Sequence, residues 1–167
     1  DFQINCKAGI PTEIFSFQKP VSEAENEQQK FYDIYRHNKG LGFVIYNQQQ
    51  KNTIQQIAIL DKDFRNWTIY SSKKSDYNPL RYPMGPIIMH YMTIKTNSVM
   101  MHASCAFDGQ RGRMFSGFSG VGKSTMSRIW AEAGNTIIND DRLIIRELEN
   151  KFFVYNTPMY YKDIPKK

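Results

Sequence analysis

Two cysteines in 167 residues, Cys6 and Cys105, are too few for a disulfide framework and too widely separated for a metal-spaced pair. They either join in one bridge or stay reduced, and two reduced thiols in a cytosolic protein is the simpler reading. Long apolar runs are also missing. The longest, Pro86-Ile87-Ile88-Met89, is interrupted by His90 and Tyr91, so no stretch is built to cross a bilayer, and the start carries no signal-peptide pattern. The formal charge of +6 is scattered over Lys73-Lys74, Arg111, Arg113 and Lys166-Lys167. Without a basic stripe there is no nucleic-acid groove to predict, only a mild attraction to anionic ligands or an acidic partner. No internal repeat is visible. The chain opens at Asp1 and not at a methionine, which implies that an upstream end has been lost. What is present, 41% hydrophobic and 14% aromatic residues, is the composition of a globular chain with room for one domain or one and a half.

Residues 1–80 read as a β-rich region, a small antiparallel layer. Gly42–Tyr46, Ile54–Leu60 and Asn66–Tyr70 are strand candidates, the last with Trp67 and Ile69 alternating against Thr68 and Tyr70. Gln48-Gln49-Gln50 reads as a hairpin tip. Glu23 to Asp33 is polar enough to be loop or short helix, and His37, between Arg36 and Asn38, reads as a solvated loop histidine. Ser75 to Pro86 holds Pro79, Pro83 and Pro86 and resembles a linker. A helix from about Gly85 to Thr96 follows, then a strand over Ser98–Phe107. His90 lies in that helix and is assigned no catalytic role.

Chemistry enters at Gly117–Thr125, which reads Gly-Phe-Ser-Gly-Val-Gly-Lys-Ser-Thr. This is the phosphate-loop pattern, glycine, four residues, then Gly-Lys-Ser. With glycine near 7% of residues, it arises by chance in a chain this long roughly once in 200 cases. Glycines permit positive φ and close backbone approach, so N–H groups can face phosphate oxygens. Lys123 supplies a mobile ammonium and Ser124 a hydroxyl for Mg²⁺. The flanks agree with a strand–loop–helix setting: the Asp108–Gly112 turn and Arg113–Ser116 strand lie before it. After it, Met126, Ile129, Trp130 and Ala133 recur at helical spacing, with Gly134 where a C-terminal cap belongs. The helix then begins at Lys123, with its dipole toward the same phosphates.

Thr136–Asn139 reads as a buried strand ending at Asp140-Asp141, followed by strands at Leu143–Ile145 and Phe152–Tyr155 around a Glu147–Lys151 turn. Carboxylates at a strand end beside a phosphate loop suit Mg²⁺ ligation or the handling of an attacking hydroxyl. Alternation along an extended chain aims the two side chains in different directions, so they are expected to have different roles.

With these residues assembled, Met100 to Tyr155 resembles the C-terminal domain of HPr kinase/phosphorylase and its serine-kinase relatives. These belong to the P-loop superfamily that also holds the phosphoenolpyruvate carboxykinases. The likeness rests on a strand carrying His102, a turn, a strand, Gly117–Ser124, a helix, and a buried strand into Asp140-Asp141. It implies an α/β fold of mixed α+β character: a carboxykinase/HPr-kinase-like P-loop core with a mixed sheet over 81–167, preceded by the β layer of 1–80. It further implies ATP and Mg²⁺ as cofactors. Gly117, Phe118, Ser119, Gly120, Val121, Gly122, Lys123, Ser124 and Thr125 are the nucleotide-binding residues, and Ser124, Asp140 and Asp141 the metal ligands. The resemblance makes Lys123, His102, Asp140 and Asp141 the expected catalytic set. One aspartate would act as base toward a seryl or small-molecule hydroxyl while its neighbour orients the metal or His102. In the bifunctional enzymes a glycine-rich signature and an arginine-bearing loop lie beyond the double aspartate. This sequence reaches Lys167 before any such segment, so the core is expected to be C-terminally incomplete. The expected activity is ATP-dependent phosphotransfer, in the cytoplasm, with a nucleotide and a hydroxyl acceptor as partners, no nucleic acid or membrane, and homo-oligomerisation in keeping with the relatives. Nucleotide-dependent regulation or scaffolding without transfer is the alternative. A carboxykinase would draw on residues spread over a much longer chain.

Overall fold

The computed structural model describes residues 1–15, 18–26, 29–47, 49–50, 53–72 and 78–159. The protein is a mixture of β and α structure that divides into two compact units, Asp1–Ile88 and Met89–Lys167.

The first unit is a six-stranded sheet built from β1 (Gln3–Ala8), β2 (Ser22–Glu25), β3 (Lys30–His37), β4 (Gly40–Tyr46), β5 (Ile54–Asp61) and β6 (Asn66–Ser71), in the order β1-β6-β5-β4-β3-β2. Successive strands from β2 to β6 pair antiparallel, because each is joined to the next by a short connection. Among the described residues only β1 is parallel, to β6. The expected antiparallel layer is therefore corrected at its edge: β1 alternates Ile4, Cys6 and Ala8 with Gln3, Asn5 and Lys7 but is exposed throughout, and alternation does not specify a parallel partner. In β6 the alternation is read correctly, with Trp67, Ile69 and Ser71 inward. Phe43, Ile45, Ile57, Leu60, Trp67 and Ile69 form much of the core, the Phe43 and Trp67 rings lying 5.2 Å apart. A second cluster joins Phe15, from the 3₁₀ turn Thr12–Phe15, to Tyr35, Val44 and Ile57.

Glu23 to Asp33, read as loop or helix, lies largely in β2 and β3. The misleading feature is Asp33, which is buried inside a strand. Lys30 Nζ donates to it at 3.1 Å, Tyr35 Oη at 3.2 Å and Tyr46 Oη at 2.7 Å, so a polar residue occupies a core position at little cost. His37 is likewise in a strand, not a loop. It is half-buried with its ring 6.0 Å from that of Phe15, and burial together with Lys39 lowers its pKa. The tip expected at Gln48–Gln50 is partly outside the described residues, as are residues 75–77 of the linker. Pro86 leaves the linker for the first turn of α1 (Met84–Lys95), where its missing N–H has no intrahelical role.

The second unit carries β7 (Ser98–Phe107), β8 (Gly112–Ser116), α2 (Lys123–Glu132), β9 (Thr136–Asn139), β10 (Arg142–Leu148) and β11 (Lys151–Asn156). β7 is the hub. Its second half pairs with β8 through Ala103–Phe107 and with β9 through Cys105–Phe107, so β8 and β9 lie on opposite edges. Its first half pairs with β10 over Ser98–His102, and β10 pairs with β11. Every ladder among the described residues of this sheet is antiparallel, which corrects the mixed sheet expected here. The reason is topological: α2 does connect two strands of like direction, β8 and β9, but β7 lies between them. The chain from β9 to β10 passes beside the middle of β7, and Asp140-Asp141 is the junction, held by Ala103 N–H donating to Asp141 O at 3.0 Å.

α2 begins at Lys123, and Gly134 follows its C-cap with φ 87°. Its apolar stripe is not its buried face, however. Met126 and Ile129 are exposed, Trp130 is half-buried with its ring 5.8 Å from Phe115, and the fully enclosed helix positions are Lys123 and Ser127. Small Ser104 on β7, whose hydroxyl donates to Lys123 O at 3.1 Å, meets the start of the helix. Among the described residues, no helix is long and apolar enough to cross a membrane.

Candidate functional site

The loop between β8 and α2 owes its shape to three glycines with positive φ: Gly117 (151°), Gly120 (82°) and Gly122 (98°). Gly122 is the N-cap of α2 in the left-handed region and offers no side-chain cap. The first bond of the helix is Met126 N–H to Gly122 O at 2.9 Å, which leaves the N–H groups of Lys123, Ser124 and Thr125 without an intrahelical acceptor. No acidic side chain occupies that turn. The start of α2 therefore presents N–H donors and the positive end of the dipole to one place.

Lys123 is 7% exposed, and its ammonium donates to Gly117 O at 2.9 Å and Phe118 O at 3.0 Å. Loop carbonyls thus hold a buried cation beside the helix terminus. Around it lies a cavity of about 290 Å³ lined by His102, Ser119, Gly120, Gly122, Lys123, Ser124, Thr125 and Asp140. Gly117, Phe118 and Val121 shape the loop without lining the cavity; Phe118 is 91% exposed at the tip.

The two aspartates are sorted by their surroundings. Asp140 lines the cavity. Asp141 does not: its Oδ1 is 3.1 Å from His102 Nδ1 and its Oδ2 accepts from Arg142 Nη1 at 2.5 Å. His102 and Arg142 face each other across the β7–β10 ladder, so Asp141 bridges a cross-strand pair. This arrangement places Asp141 against Nδ1 and fixes the ring's orientation.

The sequence reading missed Asn139 and Thr157, both buried. Asn139 Oδ1 accepts from Asp141 N–H at 2.8 Å and Arg142 N–H at 3.3 Å, folding the aspartate junction. Asn139 Nδ2 donates to Asn156 Oδ1 at 2.6 Å, Thr157 O at 3.1 Å and Met159 O at 3.0 Å. Thr157 Oγ donates to Arg142 O at 2.7 Å. A signal was available: an asparagine ending an apolar strand just before Asp-Asp is a side chain suited to bonding the backbone two residues on.

These residues suit a nucleotide triphosphate with a divalent ion. Positive-φ glycines, unpaired helix N–H groups and a buried ammonium complement phosphate oxygens, and no Cβ at Gly120 or Gly122 would meet another atom within 4 Å. Among the described residues no three His, Cys, Asp or Glu side chains gather as a ready metal site. A hard cation would take oxygens from Asp140 and Ser124 together with the phosphates.

Residues 87–164 match the family model of phosphoenolpyruvate carboxykinase, a stretch that includes the loop, His102 and both aspartates. The similarity supports a place for the second unit in the P-loop superfamily shared by carboxykinases and HPr kinases, and it points to ATP-using chemistry. It falls on the carboxykinase side and does not single out the HPr-kinase branch. No curated protein gives a significant match to the chain.

Proposed function

We propose that the second unit is an ATP- and Mg²⁺-dependent phosphotransferase of HPr-kinase-like type, acting on a seryl or small-molecule hydroxyl. One observation carries the reading: the start of α2 with its N–H groups, Lys123, Ser124 and Asp140 line a single cavity. When bound, MgATP supplies the activated phosphoryl group and the divalent charge. The N–H groups of residues 123–125, and Lys123 once its ammonium turns from Gly117 O and Phe118 O toward the ligand, bind and neutralise phosphate oxygens. Ser124 Oγ and Asp140 hold the cation. Asp140, on the cavity wall, also receives the proton of the acceptor hydroxyl, and Asp141 orients His102 through Nδ1. Positioning and charge are the main requirements, because phosphoryl transfer asks little covalent chemistry of the protein.

The family match favours a second reading, carboxykinase chemistry, in which ATP turnover is coupled to phosphoenolpyruvate. γ-Labelled ATP separates the two. We expect label in a serine or small-molecule hydroxyl, with Lys123→Ala lowering the rate by at least about 100-fold in a folded protein. Label found only in phosphoenolpyruvate selects the carboxykinase reading. ATP binding with no labelled product makes the protein a nucleotide-dependent regulator, and near-normal turnover by Lys123→Ala removes the proposal.

A further inference from the structure

We infer that Asn139 is a positioning residue: it sets the Asp141–His102 contact by tying the aspartate junction to the chain that leaves β11. The inference rests on the proposed site for its purpose, but its geometry stands alone. Asn139 is fully buried, and both ends of its carboxamide are committed in opposite directions. Oδ1 faces two donors, the N–H groups of Asp141 and Arg142, and Nδ2 faces four acceptors, Asn156 Oδ1, Thr157 O, Met159 O and, at 3.5 Å, Thr157 Oγ1. Only an amide, in only this orientation, satisfies both sides. An aspartate would set a carboxylate oxygen against carbonyls, and an apolar side chain would orphan backbone groups on both sides.

The consequence for the site follows from chain geometry. Nothing but two peptide units separates Asn139 from Asp141, and the bond Asp141 N–H to Asn139 Oδ1 determines how the chain turns between them. That turn decides where the Asp141 carboxylate lies when β10 begins. Its two oxygens must reach His102 on the neighbouring strand and Arg142 on its own. Thr157 secures the same junction from the other side by donating to Arg142 O. The loop and Lys123 are anchored independently, through Ser104 and the loop carbonyls. Losing Asn139 should therefore disturb His102, and Asp140 within the same turn, while leaving intact the metal-free phosphate contacts of the loop and Lys123.

The test uses the whole chain with three variants, Asn139→Ala, Asn139→Asp and Thr157→Val, the last keeping Asn139 in case its replacements do not fold. Three readouts are taken: the His102 imidazole ¹⁵N–¹H signals at one pH, ATP affinity by calorimetry without Mg²⁺, and phosphotransfer turnover with Mg²⁺. We expect the His102 signals to move in every folded variant, with those of His37 and His90 unchanged and ATP affinity within about three-fold of wild type. Turnover should fall about 10- to 100-fold, as for other groups that orient a working side chain. Thr157→Ser should restore the wild-type His102 signals. His102 signals that stay in place in a folded Asn139→Ala or Thr157→Val protein overturn the inference, as does an equal loss of ATP affinity. If wild type binds no ATP or transfers no phosphate, the proposed function falls, while the imidazole signals still decide the positioning role.

Discussion

A carboxylate's capabilities depend on what its two oxygens meet, and Asp141 has both engaged, one by His102 and one by Arg142. Asp140, one residue earlier, faces the loop cavity. Strand alternation is enough to predict that the pair diverges; deciding which aspartate goes where takes Asn139 and the cross-strand position of His102. Asp108 offers a simpler case in the turn between β7 and β8. Its carboxylate accepts from Arg111 N–H at 2.7 Å, Gln110 N–H at 2.9 Å and Arg113 Nε at 2.7 Å, which hold its pKa down at about 2 from an ordinary 3.8. Since the folded value is the lower one, the turn's stabilisation is complete above 3.8 and drains away as pH falls toward 2. Thermal melts of wild type and Asp108→Asn should therefore differ at neutral pH and converge at about pH 2. A constant difference across that range would show that the charge is not what matters.

At the scale of elements, local pattern and long-range contact divide the credit. β6, β7, α2 and the β10–β11 hairpin carry periodicity or turn residues that announce them. β2 does not, because Ser22–Glu25 is nearly all polar, and β1 alternates Ile4, Cys6 and Ala8 with polar residues yet is exposed throughout, so its alternation marks no burial. Helical spacing announces α2 but not which face it buries: the helix seats small Ser127 against the unit and leaves Met126 and Ile129 outside. β4 shows a contact that no local pattern encodes. A Cβ on Gly42 would lie 2.2 Å from the Phe15 ring, so the glycine exists to receive an aromatic from a separate turn. Gly42→Ala should cost about 1–3 kcal/mol by overpacking. In a Phe15→Ala background, itself destabilised by about 3–5 kcal/mol, the same change should cost much less. Denaturant melts of the four proteins measure the coupling, and strict additivity would mean that the ring and the glycine do not share this space.

For the whole molecule, the first unit contributes a well-packed sheet whose buried Asp33 is held by Lys30, Tyr35 and Tyr46 of the same unit, and the second brings together the residues suited to chemistry. The loop motif was legible because phosphate recognition demands particular residues at fixed spacing. The convergence of His102 and Asp140 on that loop was legible only through family resemblance, since they lie on strands whose adjacency is a property of the sheet. The central claim is that this cavity binds MgATP through Lys123 and the start of α2. Calorimetric titration of MgATP into the full chain tests it directly. The account predicts saturable binding of one nucleotide per chain, weakened at least about 10-fold by Lys123→Ala as a buried charge-assisted contact is removed. No binding by wild type, or equal binding by the variant, would contradict it.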